Sequence, residues 1–438
     1  MLIVECAPGH APERRYVLDV LLGVFLGLEH RVVERPGEDV VIRREDGKSL
    51  AVADVLLRRE GGLLERTALP RAPLARCGTA VGDLPVLYGD PAVHVEERSI
   101  RLGIDMFGGA FALLTRLEEA VEGPRDAHGR FPASESLAVR EGFLDRPLAN
   151  EYAELLWWAL AKLWPDLRRR PRSFRLLPTH DVDWPWYSTG VLTEVLREAA
   201  RDVLRRRGLA AARLRSTLAV RRHGRESDPC NTFDFLMDES ESRGLRSAFY
   251  FMTGQTHGVH DPGYPIDDLW LGDLLRRIEE RGHEVGLHPS YGTFLDEAGL
   301  RRELDRLRDV TGRQPLGGRQ HFLRFAVPET WRSWDAAGLS YDSTLGFAAA
   351  PGFRCGTCYE YPVFDLQERR ALGLVERPLI AMEASLLDYQ GLSPEAAAEE
   401  MRRLREICRS FDGDFVFLWH NNRLSRERER AAYRAVLD

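Results

Sequence analysis

Four short polar clusters each follow an apolar run after about residue 174, and together they offer aspartates, histidines and an arginine to a common chemistry. The first is Thr179-His180-Asp181-Val182-Asp183. Two carboxylates one residue apart at the exit of a strand can divide labour. One holds a divalent metal, and the other takes a proton from the metal's water. The same spacing also serves as a turn or a helix cap. The second cluster, Gly282-His283-Glu284-Val285-Gly286-Leu287-His288-Pro289, ends a short buried-type strand on His288, where proline stops it. An imidazole there is either a ligand or a hydrogen-bonded structural residue. In the third, Gly317-Gly318-Arg319-Gln320-His321-Phe322-Leu323-Arg324, an arginine and a histidine lie within reach of one another. Arginine beside a carboxylate lowers its pKa and fixes its direction. The fourth, Phe417-Leu418-Trp419-His420-Asn421-Asn422, delivers a histidine from an apolar strand. The four together make a metal and acid–base inventory.

Other features carry less. Cys355 and Cys358 have the spacing of a zinc half-site or redox pair, but no second C-x-x-C exists, so packed or free thiols are expected. His257 and His260 lie in a Gly/Pro loop and either line a cleft or sit on the surface. The arginines between Glu194 and Arg225 read as an anion contact or as a solvated, partly helical insertion. There is no G-x-G-x-x-G after a strand, no P-loop and no G-x-S-x-G. Nucleotide-cofactor and serine-hydrolase chemistry therefore lack support.

The elements that must position these residues alternate. Strand-like runs at Phe174–Pro178, Ser247–Met252, Glu284–His288, Leu379–Ala384 and Phe415–Trp419 are interleaved with helical patterns at Thr232–Arg243, Ile266–Arg281, Glu297–Thr311, Glu329–Ala337 and Pro394–Arg409. Strand then helix, repeated, predicts a parallel sheet, open or closed into a barrel, with chemistry at the carboxyl ends of its strands. Ahead of this lie strand-like runs at Val32–Glu34, Asp39–Ile42 and Ala51–Leu57 and helical runs at Ile104–Ala120 and Asn150–Trp164. Charge and proline in Arg168–Ser173 mark a linker. The expected division is an α+β domain over 1–170 and a (β/α) domain over 171–438.

At 438 residues the chain is longer than one core usually holds, which suits two domains. With 44% hydrophobic and 29% charged residues it is globular, and a net charge of −7 argues against nucleic acid as a partner. The most apolar run, Val20–Leu28, is too short to cross the roughly 30 Å of hydrocarbon in a bilayer, so no membrane span is expected. Glu5 sits where a secretory signal needs basic then apolar residues, and the six cysteines are scattered. The expected compartment is the cytoplasm.

Taken together, the four clusters resemble the motifs of the polysaccharide deacetylase superfamily, the carbohydrate esterases of the nodulation-factor deacetylase type, over roughly residues 174 to 425. THDVD is similar to the first motif, usually T-F-D-D; GHEVGLHPSYGT to the second; GGRQHF stands at the arginine motif and WHNN at the last. The resemblance implies a distorted (β/α) barrel that removes acetyl groups from sugars with a bound divalent metal, zinc being the expected ion. It implies Asp181 as general base, Arg319 as the group that orients it, His420 as general acid, and Asp183 and His288 as metal ligands. Four residues after His288 the family has its second histidine, where this chain has Gly292. His321 is read as the replacement, with a water or His180 as the alternatives. One branch of the superfamily is closer, through RQHFLR, PGFRCGTC and LWHN, and it carries an N-terminal domain of unassigned role. The stretches at 105–119 and 128–152 are similar to that domain. Members of the branch accompany surface-glycan biosynthesis.

The expected function is thus metal-dependent removal of acetyl groups, N-acetyl foremost, from a sugar or polysaccharide. Arg354, Trp184 and Tyr291 are the expected substrate contacts. Arg354 would meet an anionic group or form a structural ion pair, Trp184 and Trp186 would stack on sugar faces or pack inside, and a backbone N–H near Tyr291 would help hold the oxyanion. Two rivals stand beside this reading: a non-catalytic glycan-binding or scaffold protein with an altered metal site, and a hydrolase of another C–N bond such as a cyclic imide or ureide.

Overall fold

The computed structural model describes residues 1–121, 123–187 and 210–438, and the chain divides into two compact units. The first comprises Met1–Arg175, Phe322–Ile380 and Leu404–Phe415; the second comprises Leu176–His321, Ala381–Arg403 and Val416–Asp438. Arg205–Arg207 of the arginine-rich segment lie outside the described residues. Arg221 and Arg222 are exposed on the helix Ala210–His223, as in a solvated insertion.

In the first unit a sheet forms from β1 (Leu2–Cys6), β2 (His30–Glu34), β3 (Asp39–Arg43), β4 (Ser49–Ala53), β7 (Gly89–Val95) and β8 (Ser99–Ile104), in the order β2-β1-β3-β4-β8-β7. Period-two burial drives it: Val40 and Ile42 of β3 and Leu50 and Val52 of β4 are buried, while Val41 and Ala51 between them are half-buried. Strands β5 (Ala75–Thr79) and β6 (Gly82–Val86) form a separate antiparallel hairpin. The expected strand Ala51–Leu57 stops at Ala53 because Asp105 takes the N–H groups of Val55 and Leu56, each at 2.8 Å, and turns the chain. The helix Leu148–Leu163 buries Tyr152, Leu155, Leu156, Ala159, Leu160 and Leu163, the spacing of one helical face.

The helix expected over Ile104–Ala120 is two helices, Met106–Leu114 and Leu117–Ala120, broken at Arg116, whose φ of 53° is left-handed. A buried guanidinium explains the break. Arg116 donates to Glu118 and Glu119 and to the carbonyls of Leu113 and Arg354, a fan of acceptors that a continuous helix would not present.

The second unit is built on parallel strands β9 (Arg175–Val182), β10 (Ala248–Phe251), β11 (Glu284–Leu287), β12 (Gly317–Gly318), β16 (Ala381–Met382) and β17 (Asp414–Leu418), in the order β12-β11-β10-β9-β17-β16. Strands β13 (Tyr341–Asp342), β14 (Tyr361–Asp365) and β15 (Arg370–Glu376) pair with one another in the first unit. The helix Leu269–Glu280 starts three residues later than expected because the Asp268 carboxylate caps it, accepting from the N–H groups of Trp270 and Leu271. The helix Glu297–Thr311 keeps its expected bounds, with Asp296 as cap and Gly312 in the left-handed region at its end.

Register aligns the exits of the strands. Val182 pairs with Phe251, Phe251 with Leu287, Leu287 with Gly318, and Met382 with Leu418. Asp183, His288, Arg319 and Glu383, the next residues, and His420, one residue further on, therefore emerge at one edge. Glycine permits the closest approach: a Cβ on Gly318 would lie 1.8 Å from the Leu287 carbonyl oxygen. Only a residue without a side chain lets β12 run against β11 there and deliver Arg319 and His321 beside His288. The architecture is mixed α/β, and among the described residues no helix is long and apolar enough to cross a membrane.

Candidate metal centre

All the residues of the centre belong to the second unit. Asp183, His288 and His321 bring one ligand atom each within 4.8 Å of one another. His288 Nε2 is 3.2 Å and His321 Nε2 3.6 Å from Asp183 Oδ1. That oxygen is buried and accepts no hydrogen bond among the described residues. A buried carboxylate oxygen without a donor costs free energy unless a cation satisfies it.

The other imidazole nitrogens decide what the two Nε2 atoms can do. His288 Nδ1 lies 2.6 Å from the Arg319 carbonyl, and His321 Nδ1 lies 2.9 Å from Asp261 Oδ1. Both partners only accept, so each Nδ1 carries a proton, and each ring, when neutral, offers its Nε2 lone pair to an ion. Two imidazoles so oriented and one carboxylate suit a tetrahedral or five-coordinate divalent ion with open positions, and outer partners of this kind are what fix such ligands. The residues fit the ion.

Electrostatics agree. Burial opposes the ionisation of Asp183, but His321, His288 and His420 outweigh it and hold its carboxyl well below the usual carboxylate range. For His288, burial pushes its pKa down, and the charges of Asp181 and Asp183 carry it above its ordinary value. A negative cup of this kind attracts cations.

Beside the three ligand atoms stand two further groups. Asp181 Oδ1 accepts from Arg319 Nη1 at 2.8 Å, and the same nitrogen donates to Thr179 Oγ1 at 2.9 Å. Asp181 Oδ2 is 3.8 Å from His288 Nε2. Arg319 is fully buried and its guanidinium lies 5.1 Å from the Tyr250 ring centroid, so it holds Asp181 in one direction. His420 Nε2 is 3.7 Å from Asp183 Oδ2, and its Nδ1–H donates to Glu383 Oε1 at 2.6 Å. Burial disfavours the charged imidazole, yet the Glu383 carboxylate, with Asp183 and Asp181, raises the His420 pKa to about 9. A histidine held in its acid form beside a carboxylate held by arginine gives the edge both a proton donor and a proton acceptor.

The structure thus brings together Asp181, Asp183, His288, Arg319, His321 and His420. It places the remaining sequence-selected residues differently. His180 faces the other side of β9, as strand alternation dictates. Its Nδ1–H donates to the Trp419 carbonyl at 2.7 Å, its Nε2 lies 3.3 Å from Ser247 Oγ, and burial lowers its pKa to about 3. It is not a substitute ligand. Arg354 is not a substrate contact either: at 2% exposure it forms a two-pronged ion pair with Glu119 and donates to the Gly346 carbonyl at 2.9 Å, all within the first unit. The structural ion pair is the reading that stands.

Tyr291 donates its N–H to Asp261 Oδ1 at 2.8 Å, so that group is committed and does not serve an oxyanion. Its ring packs against His260, with centroids 4.5 Å apart, and His260 stacks on His257 at 4.3 Å. Trp184 is 48% exposed directly after Asp183, whereas Trp186 is buried against Tyr264 and Trp270. Cys355 and Cys358 are buried free thiols, and burial pushes Cys355 up to about 12.

Two residues went unread in the sequence. Glu383 is a single acid in an apolar strand run, and one charge at a strand exit beside His420's strand was the signal available. Asp261 lies in the loop that holds His257 and His260, where Gly and Pro masked it as surface.

A family of unknown function, DUF7033, matches residues 2–165. No curated protein matches the chain in sequence. Among solved structures, a candidate polysaccharide deacetylase from Mycobacterium smegmatis is 20% identical at a TM-score of 0.40, covering 63% of this chain and 84% of its own. A second such candidate, from Pseudomonas aeruginosa PAO1, is 17% identical at 0.32, covering 46% and 64%. Puue allantoinase is 12% identical at 0.36, covering 61% and 86%.

Proposed function

We propose that the chain is a metal-dependent hydrolase that removes acetyl groups, N-acetyl foremost, from a sugar or polysaccharide, and that its second unit is a distorted barrel of the deacetylase type. One observation carries the reading: a carboxylate oxygen with no donor among the described residues and two imidazole Nε2 atoms converge where an arginine-held aspartate and a glutamate-held histidine also meet. The motif resemblance of the four strand exits supports the acetamido substrate. Zinc is the ion proposed for Asp183, His288 and His321.

When bound, the ion supplies Lewis acidity, polarising the acyl carbonyl and making a water more acidic. Asp181 takes the water's proton at Oδ2, because Oδ1 is committed to Arg319. The water oxygen adds to the acyl carbon, and the C–N bond breaks as the tetrahedral adduct collapses. His420 gives its Nε2 proton to the departing amine, and Glu383 stabilises the imidazolium until then. Products are acetate and a free amino sugar. Trp184, exposed one residue past Asp183, offers an indole face to the sugar ring.

The test is acetate release from N-acetylglucosamine oligomers by the zinc-loaded full-length protein, run beside cyclic imides and ureides. Release of acetate with an equal yield of free amine supports the deacetylase. Opening of an imide or ureide without acetate release assigns the other C–N bond. Absence of any turnover together with absence of bound metal assigns the non-catalytic reading.

A further inference from the structure

We infer that Asp261 is a positioning residue that fits His321 to the metal, acting from a loop that occupies the room a side chain at position 292 would need. The inference rests on the metal-centre reading above. Gly292 donates its N–H to Thr256 Oγ1 at 2.6 Å, and a Cβ on Gly292 would stand 2.9 Å from that oxygen and 3.0 Å from the Thr256 Cβ. A side chain at 292 would press on Thr256, which must shift to admit it. The third ligand instead comes from the exit of β12, and the loop that closes position 292 also supplies that ligand's anchor.

Asp261 is fully enclosed and saturated with donors. Its Oδ1 accepts from His321 Nδ1–H at 2.9 Å and from the Tyr291 N–H at 2.8 Å. Its Oδ2 accepts from the N–H groups of Thr256 and His257, each at 2.8 Å, and from the Thr256 hydroxyl at 3.1 Å. Five donors on one carboxylate leave it no freedom to swing, so the imidazole it holds is fixed in tautomer and direction. The two histidine ligands thus differ. His288 is oriented by a main-chain carbonyl, and His321 by a carboxylate. Substitution of such an outer carboxylate typically weakens metal affinity about 10- to 100-fold.

The experiment titrates zinc against a chromophoric chelator in full-length wild type, Asp261→Asn, Asp261→Glu, His321→Ala and the Asp261→Asn/His321→Ala double variant. Asp261→Asn is expected to weaken zinc binding about 10- to 100-fold, and Asp261→Glu to recover part of it. In the His321→Ala background the Asp261→Asn change is expected to add nothing, a result that a merely structural aspartate would not give. Zinc affinity of Asp261→Asn within twofold of wild type overturns the inference while leaving the metal centre intact. Wild type and Asp183→Asn binding zinc equally would instead remove the metal-centre reading. Should Asp261→Asn fail to fold, imidazole nitrogen NMR of zinc-loaded wild type decides. A slowly exchanging Nδ1–H on His321 supports the inference, and zinc on Nδ1 overturns it.

Discussion

Glu383 Oε1 lies 2.6 Å from His420 Nδ1, and the glutamate side chain has no exposed surface. The pair joins the exits of two adjacent strands, since Met382 of β16 is in register with Leu418 of β17. Its consequence is a histidine that keeps its proton well above the pH at which a free imidazole releases it.

That proton sets a pH limit. The His420 pKa is raised to about 9, so the imidazole is charged below that pH and neutral above it. In Glu383→Gln the carboxylate is lost, and the titration of His420, followed by NMR in metal-free protein, is expected to move to lower pH. The alkaline limb of deacetylation moves the same way, so turnover at pH 8 falls more than at pH 6. A raised folded-state pKa contributes stability that is complete below the unfolded value of about 6.5 and is lost as pH rises through about 9. An unmoved titration in Glu383→Gln contradicts the pairing.

Removing the proposed base separates chemistry from metal binding. Asp181→Asn is expected to lower kcat on the order of 10²- to 10⁴-fold with zinc content unchanged. Steady-state kinetics with elemental analysis of the same preparation checks both halves, and full turnover would exclude Asp181 as base.

Arg319 is a matter of stability as well as direction. Arg319→Leu leaves Asp181 charged, buried and without its arginine, a change worth about 3–5 kcal/mol of destabilisation. Denaturant titration reads it. A loss under about 1 kcal/mol would mean that Asp181 is satisfied by other donors.

Two variants test residues that the structure moves out of the centre. His180→Ala removes a buried imidazole from the Trp419 carbonyl and is expected to cost about 1–3 kcal/mol without altering zinc stoichiometry. Arg354→Ala leaves Glu119, whose carboxyl the two arginines hold down to about 2 against the opposing effect of burial, to Arg116 alone. Its cost is expected to be about 1–3 kcal/mol, with KM for the sugar unchanged below the melting temperature. A raised KM would return Arg354 to the substrate site.

What could be read from the chain divides by range of interaction. The strand exits were legible because apolar runs ending in Asp, His or Arg are local patterns, and register then brings them to one edge. Strands β5, β6 and β7 were not, because Pro85, Pro91 and their flanking glycines break any period. Asp261 and Glu383 depend on non-local pairing. Each is an ordinary acid until the fold sets a histidine against it, 60 and 37 residues away in sequence. Arg354 shows the converse: an arginine in a glycine-containing run looks the same whether its anion is a substrate or Glu119, 235 residues earlier.

The most direct test of the whole account is anomalous diffraction at the zinc edge from crystals of the zinc-loaded protein. One strong peak within bonding distance of Asp183 Oδ1, His288 Nε2 and His321 Nε2 is the predicted result. Crystals with no peak there, or with zinc bound only elsewhere, would contradict it.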